Sequence, residues 1–421
     1  MPVGVYISVP FCRTKCSYCN FASGVYSQGV FATYVEKLCA GIRRARETVA
    51  DMGGECDFQA DSIYLGGGTP TMLGAFGLER IFAAVRESFI ISPQAEITIE
   101  CAPGSLPTDT LDALLRYGVN RVSLGVQSFI DQEARAIGRL HTRAIASNDI
   151  QRLRDAGIVN LNVDLIAGLP HQTRESWRES LEYLLGLGVP HASVYMLEVD
   201  DESRLGRELI AGGTRYHAHF VPDEDLTADL YLEACGQLDA GGLRQYEISN
   251  FAREGMESRH NLKYWTRQPY LGFGVDAHSM LPASTDAYAL LRNGRGARAS
   301  EGEETAATET GGSRPCSVST ADLEAIRFAT PDSLESYLAG AAGTRIPVSL
   351  NAAREEEFFL GLRMTSGINL AQIALRYGLS PKFRETIAEL QSAGLIEQSG
   401  DVVRLTARGR LLSNEVFQRF L

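Results

Sequence analysis

Val9-Pro10-Phe11-Cys12-Arg13-Thr14-Lys15-Cys16-Ser17-Tyr18-Cys19 closes the first apolar run of the chain, Gly4 to Val9, with three cysteines inside eight residues. Five more short, β-branched runs follow: Ser62 to Leu65, Glu96 to Glu100, Arg121 to Val126, Asn160 to Ile166 and Ala192 to Leu197. Amphipathic segments such as Asp109 to Tyr117 and Glu175 to Leu187 separate them, and that alternation predicts βαβ units around a parallel sheet. Six units predict an α/β fold, a partial (β/α)6 barrel of TIM type that need not close.

The notable polar residues fall where each run ends. Cys12 follows the first strand, Gly66-Gly67-Gly68-Thr69-Pro70 the second, and Glu100 ends the third. Gln127 ends the fourth, Asp164 lies in the fifth near Gly168-Leu169-Pro170, and Glu198 follows the sixth. The C-terminal rim of such a barrel builds its active site. Glycines at 66 to 68 let bare backbone approach a ligand. Alternatively, Glu100, Gln127 and Asp164 only tie strand ends together, and Arg139 makes a plain salt bridge.

Three thiolates suit a [4Fe-4S] cube in particular, because four irons with three protein ligands leave one iron free to bind something else. The alternative is zinc, but structural zinc takes four protein ligands, and no fourth Cys or His sits near the loop. Cys39, Cys56, Cys101, Cys235 and Cys316 are scattered singly and read as buried or incidental thiols. Eight cysteines in 421 residues, without a disulfide-like framework, point to a reducing compartment.

Composition narrows the partners. With 52 acidic and 40 basic residues the net charge is -12, so nothing draws the molecule to phosphate backbones or anionic membranes. The start of the chain carries no basic n-region, and no run of about 18 apolar residues occurs. A cytoplasmic protein without a transmembrane segment is expected. Residues 1–230 read as the core barrel and 231–293 as its extension, and residues 200 to 290 are hard to assign apart from helical character around Asp223 to Ala240. Between Gly294 and Pro315 there is no large apolar residue, so 294–316 reads as a disordered linker. Residues 317–421 read as a C-terminal module whose order of three helices and a short strand pair resembles a winged helix. Its third helix, Lys382 to Gln391, balances Lys382 and Arg384 against Glu385 and Glu389, which argues against nucleic acid.

The cysteine loop closely resembles that of the radical S-adenosylmethionine (SAM) superfamily. The resemblance extends over most of the chain. Val9-Pro10-Phe11-Cys12, Gly125-Val126-Gln127-Ser128-Phe129, Asp164-Leu165-Ile166-Ala167-Gly168-Leu169-Pro170 and the C-terminal module bring it nearest the branch of oxygen-independent coproporphyrinogen III oxidase and the HemW-type haem chaperones. That likeness implies a [4Fe-4S] cluster on Cys12, Cys16 and Cys19, whose open iron SAM chelates. Reductive cleavage of SAM then gives a 5'-deoxyadenosyl radical. It further implies that Gly67, Gly68 and Thr69 hold the SAM amino group and that Glu100 takes the ribose hydroxyls. Gln127, Arg139 and Asp164 would make further polar contacts, with Tyr6 and Tyr18 near cluster and SAM. An electron donor such as flavodoxin or ferredoxin goes with that chemistry.

Within the branch, Phe21 stands where the oxidase has a further cysteine, and Tyr6 comes too early for the oxidase's N-terminal extension. His260-Asn261-Leu262-Lys263-Tyr264-Trp265 is similar to the chaperones' H-N-x-x-Y-W motif, where the histidine has been associated with haem. His260 could supply an axial nitrogen, with Tyr264 and Trp265 as flat surface, or it could be a hydrogen-bonded core histidine. His278 is a second candidate, whereas His141, His171, His191, His217 and His219 have no supporting context. The resemblance implies a haem-binding protein that delivers haem to an acceptor, with oxidative decarboxylation of coproporphyrinogen III as the enzyme alternative.

Overall fold

The computed structural model describes residues 1–285, 287 and 323–421. The linker expected over 294–316 lies outside the described residues. Strands β1 (Val3–Val9), β2 (Gln59–Gly67), β3 (Ile90–Cys101), β4 (Arg121–Gln127), β5 (Asn160–Ala167) and β6 (His191–Met196) lie side by side in that order, all parallel. Period-two alternation gives each strand two unlike faces. Val3, Val5, Ile7 and Val9 of β1 are fully buried, and with Ile63, Ile99, Leu124 and Val163 they join one core with Leu38, Ile81, Leu114, Leu153 and Trp177 of the covering helices. Each fully buried side chain of this kind contributes about 1.5–3 kcal/mol. The other face carries Tyr6 and Ser8, then Ser62 and Tyr64, then Thr98 and Glu100 on the next strands.

The helix Arg174–Leu187 illustrates how the layer is fixed. Trp177, Ser180, Leu181 and Leu184 recur at helical spacing and are buried. Thr173 and Ser176 form a reciprocal capping box at its start, and Gly188, at φ 64°, ends it in the left-handed conformation. The Trp177 indole N–H donates to the Leu230 carbonyl at 2.8 Å, so its burial leaves no polar atom unpaired.

Among the described residues the sheet has twelve strands and two free ends. Beyond β6 it continues antiparallel through β7 (Arg244–Gln245) and β8 (Asn250–Ala252), with β8 next to β6 and β7 at the edge. Beside β1 it continues with β9 (Tyr270–Phe273), parallel, and then antiparallel β10 (His278–Pro282), β11 (Leu323–Ala329) and β12 (Thr344–Ser349). The helix Glu224–Ala240 runs through residue 230, and β11 and β12 extend the sheet, so the C-terminal module's own elements begin at Leu350. Its helices Leu350–Gly361, Leu370–Tyr377 and Pro381–Ser392 pack with a small sheet of β13 (Ile368–Asn369), β14 (Ile396–Ser399) and β15 (Val402–Leu405) around stacked Phe358, Phe383 and Phe420.

Arg267 joins module to barrel. Its guanidinium, 3% exposed, lies 3.0 Å from Glu324, 2.8 Å from Glu356 and 2.9 Å from the Tyr377 hydroxyl. Among the described residues no helix is long and apolar enough to cross a membrane.

Candidate functional site

A closed eight-stranded barrel fills its interior with branched apolar side chains. Here the concave face is polar on every strand. Tyr6 and Ser8 of β1, Tyr64 of β2, Thr98 and Glu100 of β3, Ser123 of β4, Asn162 and Asp164 of β5 and Ser193 and Tyr195 of β6 alternate with the apolar outer residues. Such a surface is suited to holding a polar ligand. Glu100 accepts hydrogen bonds from the Tyr64 hydroxyl (2.9 Å) and the Gly67 backbone N–H (3.1 Å). Burial pushes its carboxyl up to about 7 against those bonds, and the nearby Asp164 charge adds to the rise. Asp164 accepts from Asn162 Nδ2 at 2.7 Å and Ser123 Oγ at 3.1 Å, and burial raises its carboxyl too. The Thr98 hydroxyl is buried beside them without a partner.

The cysteine loop stands on the C-terminal rim. Phe11 anchors its start, fully buried and stacked on Phe31 at 4.1 Å. Cys12 N–H donates to Gly24 O and Gly24 N–H to Pro10 O, both at 2.8 Å, which folds residues 10–24 back on themselves. The 66–68 glycines run against this loop, with Gly68 N–H on Val9 O at 2.8 Å and Thr69 N–H on Phe11 O at 2.7 Å. Gly67 has φ 103°, a conformation that favours glycine. At Gly68 the reason is space, because an added Cβ would lie 2.7 Å from Phe11 O, 2.9 Å from Val9 O and 3.0 Å from Cys12 Sγ.

The other expected residues gather on the same rim. Half-buried Arg139 reaches Cys16 Sγ at 3.7 Å with one nitrogen and the Gly125 carbonyl with another. Gln127 bends the chain at the end of β4, with φ 72°, a strained value for a residue with a Cβ. Tyr18 packs on Ile137, Ile166 and Leu169, and Tyr6 lies beside Tyr64 with ring centroids 6.1 Å apart. Burial drives both phenols well above their ordinary range. The structure thus brings Cys12, Cys16, Cys19, Tyr6, Tyr18, Gly67, Gly68, Thr69, Glu100, Gln127, Arg139 and Asp164 to one end of one concave face. Tyr64, Thr98, Ser123 and Asn162 were missed in the sequence, although the i, i+2 spacing Ser62-Tyr64-Gly66 on one face could have flagged the first.

The motif at 260–265 lies elsewhere. His260 is 1% exposed, in the layer beneath Tyr6 and Tyr64 toward the strand starts, with the Tyr64 ring 5.3 Å away. Its Nδ1 pairs with Ser62 Oγ at 3.0 Å and its Nε2 with the Tyr264 hydroxyl at 2.9 Å. Glu96 accepts the backbone N–H groups of Arg259 and His260, and Lys263 pairs with Asp61 at 2.8 Å. Burial, with the Lys263 charge adding, pushes the imidazole down to about 3, so it stays neutral. This is the environment of a hydrogen-bonded core histidine. Both ring nitrogens are already used, and the short helix Arg259–Trp265 plugs the barrel floor. Tyr264 belongs to the same plug, edge-on to Tyr270 at 4.6 Å, and Trp265 is covered by the Arg363 guanidinium at 4.3 Å, so neither offers a free flat surface. His278 is 67% exposed beside Asp276, at the start of β10.

Comparison with known proteins agrees with this geometry. Residues 6–184 match the radical SAM superfamily model and residues 348–412 the HemN C-terminal domain. The chain is 32% identical to the heme chaperone HemW of Bacillus subtilis (strain 168), over 99% of this chain and 98% of that protein. It is 30% identical to the heme chaperone HemW of Lactococcus lactis, over 100% and 97%. The fold matches that of the coproporphyrinogen III oxidase HemN from Escherichia coli with a TM-score of 0.77, at 22% identity, over 100% of this chain and 90% of that one. With a three-cysteine loop above a polar half-barrel and near full-length similarity to those relatives, the chain belongs to the radical SAM superfamily and, within it, to the HemW family.

Proposed function

We propose that this protein binds haem, carries a [4Fe-4S] cluster with SAM on the barrel rim, and passes the haem to an acceptor protein. The carrying observation is the full-length similarity to relatives named heme chaperone HemW. Phe21, 62% exposed where the oxidase has a cysteine, favours this over decarboxylation of coproporphyrinogen III.

The residues present fit the cluster. Cys12 is pushed up by burial, against hydrogen bonds from Ser23 and Thr69, and the Cys19 and Cys16 thiols add to the rise, so the three are within electrostatic reach of one another. Ser17 Oγ, inside the loop, is buried with no hydrogen-bond partner, and cluster sulfides are acceptors. Among the described residues no three His, Cys, Asp or Glu are close enough to share one metal ion. A cube does not ask for that, since it gives each thiolate its own iron.

When bound, cluster and SAM supply one-electron chemistry. This chain's part is positioning. Cys12, Cys16 and Cys19 ligate, and Gly67, Gly68 and Thr69 present backbone and hydroxyl to the SAM amino group. Glu100 accepts from the ribose hydroxyls, and Gln127, Arg139 and Asp164 hold the remaining polar groups between Tyr6 and Tyr18. The free state of all seven described cysteines is consistent with a reducing cytoplasm, where a flavodoxin or ferredoxin would serve as electron donor.

The test pairs a haemin titration followed at the Soret band with an anaerobic coproporphyrinogen III assay in the presence of SAM and reductant. Haem binding without protoporphyrinogen formation is expected. Decarboxylation at turnover rates would replace the chaperone by the enzyme.

A further inference from the structure

Three of the seven histidines, unremarkable in sequence, meet on the rim. His171 stands four residues past the end of β5, and its backbone N–H donates to Phe220 O at 2.9 Å, which docks the segment 215–220 there. His171 Nε2 and His217 Nδ1 are 3.0 Å apart and hydrogen-bonded. The Phe220 ring lies 4.0 Å from the His171 ring and 4.0 Å from that of His219. Three residues with side chains take left-handed backbone here, His171 at φ 69°, Tyr216 at 54° and His217 at 61°. Such conformations are unfavourable and persist where the surroundings impose them, often at ligand sites.

The hydrogen bond fixes what the pair can do. If His171 Nε2 accepts, His217 donates through Nδ1–H and keeps a free lone pair on Nε2. An imidazole oriented and made more basic by donating its other N–H is the usual metal-ligating form. His217 is exposed, so that nitrogen is open to a large planar ligand. Flat apolar surface is adjacent in Phe220, 48% exposed. Cationic groups are adjacent as well, with the guanidinium carbons of Arg204 and Arg215 lying 5.4 and 5.9 Å from the Tyr216 ring centroid. Arg204 Nε is buried without a partner. Arg204 also donates to the Lys15 carbonyl, which ties this corner to the cysteine loop.

We infer that His217, oriented by His171, is an axial ligand for haem iron on the barrel rim, with Phe220 against the macrocycle and Arg204 and Arg215 toward its carboxylates. The assignment rests on the haem-binding reading and places the haem away from the 260–265 motif. It puts the cargo on the same rim as the three cysteines.

Haemin is titrated into anaerobically reconstituted wild type and into His217→Ala, His171→Ala, His219→Ala, His278→Ala and His260→Ala, following the Soret band and the electron paramagnetic resonance of the ferric haem. His217→Ala should lose the imidazole-ligated signature and weaken haem binding about tenfold or more, with iron-sulfur content unchanged and the signature restored by added imidazole. His171→Ala should weaken it less and shift the spectrum. His219→Ala and His278→Ala, which remove exposed imidazoles outside the pair, should behave as wild type, as should folded His260→Ala. Wild-type spectra and affinity in both His217→Ala and His171→Ala would overturn the assignment while leaving haem binding intact. Equal loss in His219→Ala or His278→Ala would overturn it in favour of adventitious histidine binding. A wild type that binds no haem would overturn both the assignment and the proposed function.

Discussion

Gly68→Ala adds one methyl group at the contact between the glycine turn and the cysteine loop. The new Cβ would stand 2.7 Å from Phe11 O and 2.9 Å from Val9 O, both backbone atoms, and 3.0 Å from Cys12 Sγ. Ordinary contact starts near 3.4 Å, so the two segments must separate by up to about 0.7 Å. They are joined by Gly68 N–H to Val9 O at 2.8 Å and Thr69 N–H to Phe11 O at 2.7 Å, and that displacement stretches both beyond the useful range. Two weakened hydrogen bonds at about 0.5–1.5 kcal/mol each, with residual overlap, give a loss of about 2–4 kcal/mol. Because the displaced atoms include Cys12, the damage extends to the ligand set. Chemical denaturation of the apoprotein and iron content after anaerobic reconstitution read the two effects separately. Gly41→Ala is the control, since its Cβ would meet nothing within 4 Å on a helix, and it should be neutral or stabilising by up to about 1 kcal/mol. Full iron and unchanged stability in Gly68→Ala would refute the close-packed turn.

Glu100→Gln tests the buried carboxyl. With the folded group at about 7 and the unfolded one near 4.5, its favourable contribution is complete below about 4.5 and is lost as pH rises through 7. Wild-type apoprotein should therefore lose stability relative to the glutamine variant between pH 5 and 8, by at most about 3 kcal/mol, and a difference independent of pH would contradict the shift. Arg267→Ala leaves Glu324 with Arg376 and Glu356 with Arg327 as their remaining cations, and denaturation should register a loss of about 1–3 kcal/mol. A loss under about 1 kcal/mol would mean that the module is held by its apolar contacts alone. His260→Ala opens the barrel floor, leaves Ser62 and Tyr264 unpaired, and should destabilise by about 2 kcal/mol or more. An unchanged melting temperature would reopen its assignment as a structural plug.

The parallel strands were legible because each has an unbroken apolar face and ends on a polar or glycine signal. Arg121 to Val126 lacks only Gln127 of β4, and Asn160 to Ile166 lacks only Ala167 of β5. The rim residues were legible for the same reason, since the end of a strand is also the end of its pattern. Residues 200 to 290 resisted reading because β7 and β8 are two and three residues long, and such short antiparallel additions are defined by their partner β6. The burial of His260 was not legible, because a motif names residue types and not surroundings. Its fate is decided by Ser62 and Glu96, about 160 to 200 residues earlier in the chain. His171 and His217 were invisible for the converse reason, being 46 positions apart and joined only by the turn that Phe220 makes against the end of β5.

The most direct measurement is iron, sulfide and haem in a single anaerobically reconstituted sample, comparing wild type with the triple Cys12→Ala, Cys16→Ala, Cys19→Ala variant. A rim cluster beside an independent haem site predicts about four irons and four sulfides per wild-type chain, and a triple variant that loses both while still binding haem. A triple variant that keeps wild-type iron and sulfide would contradict the account at its centre.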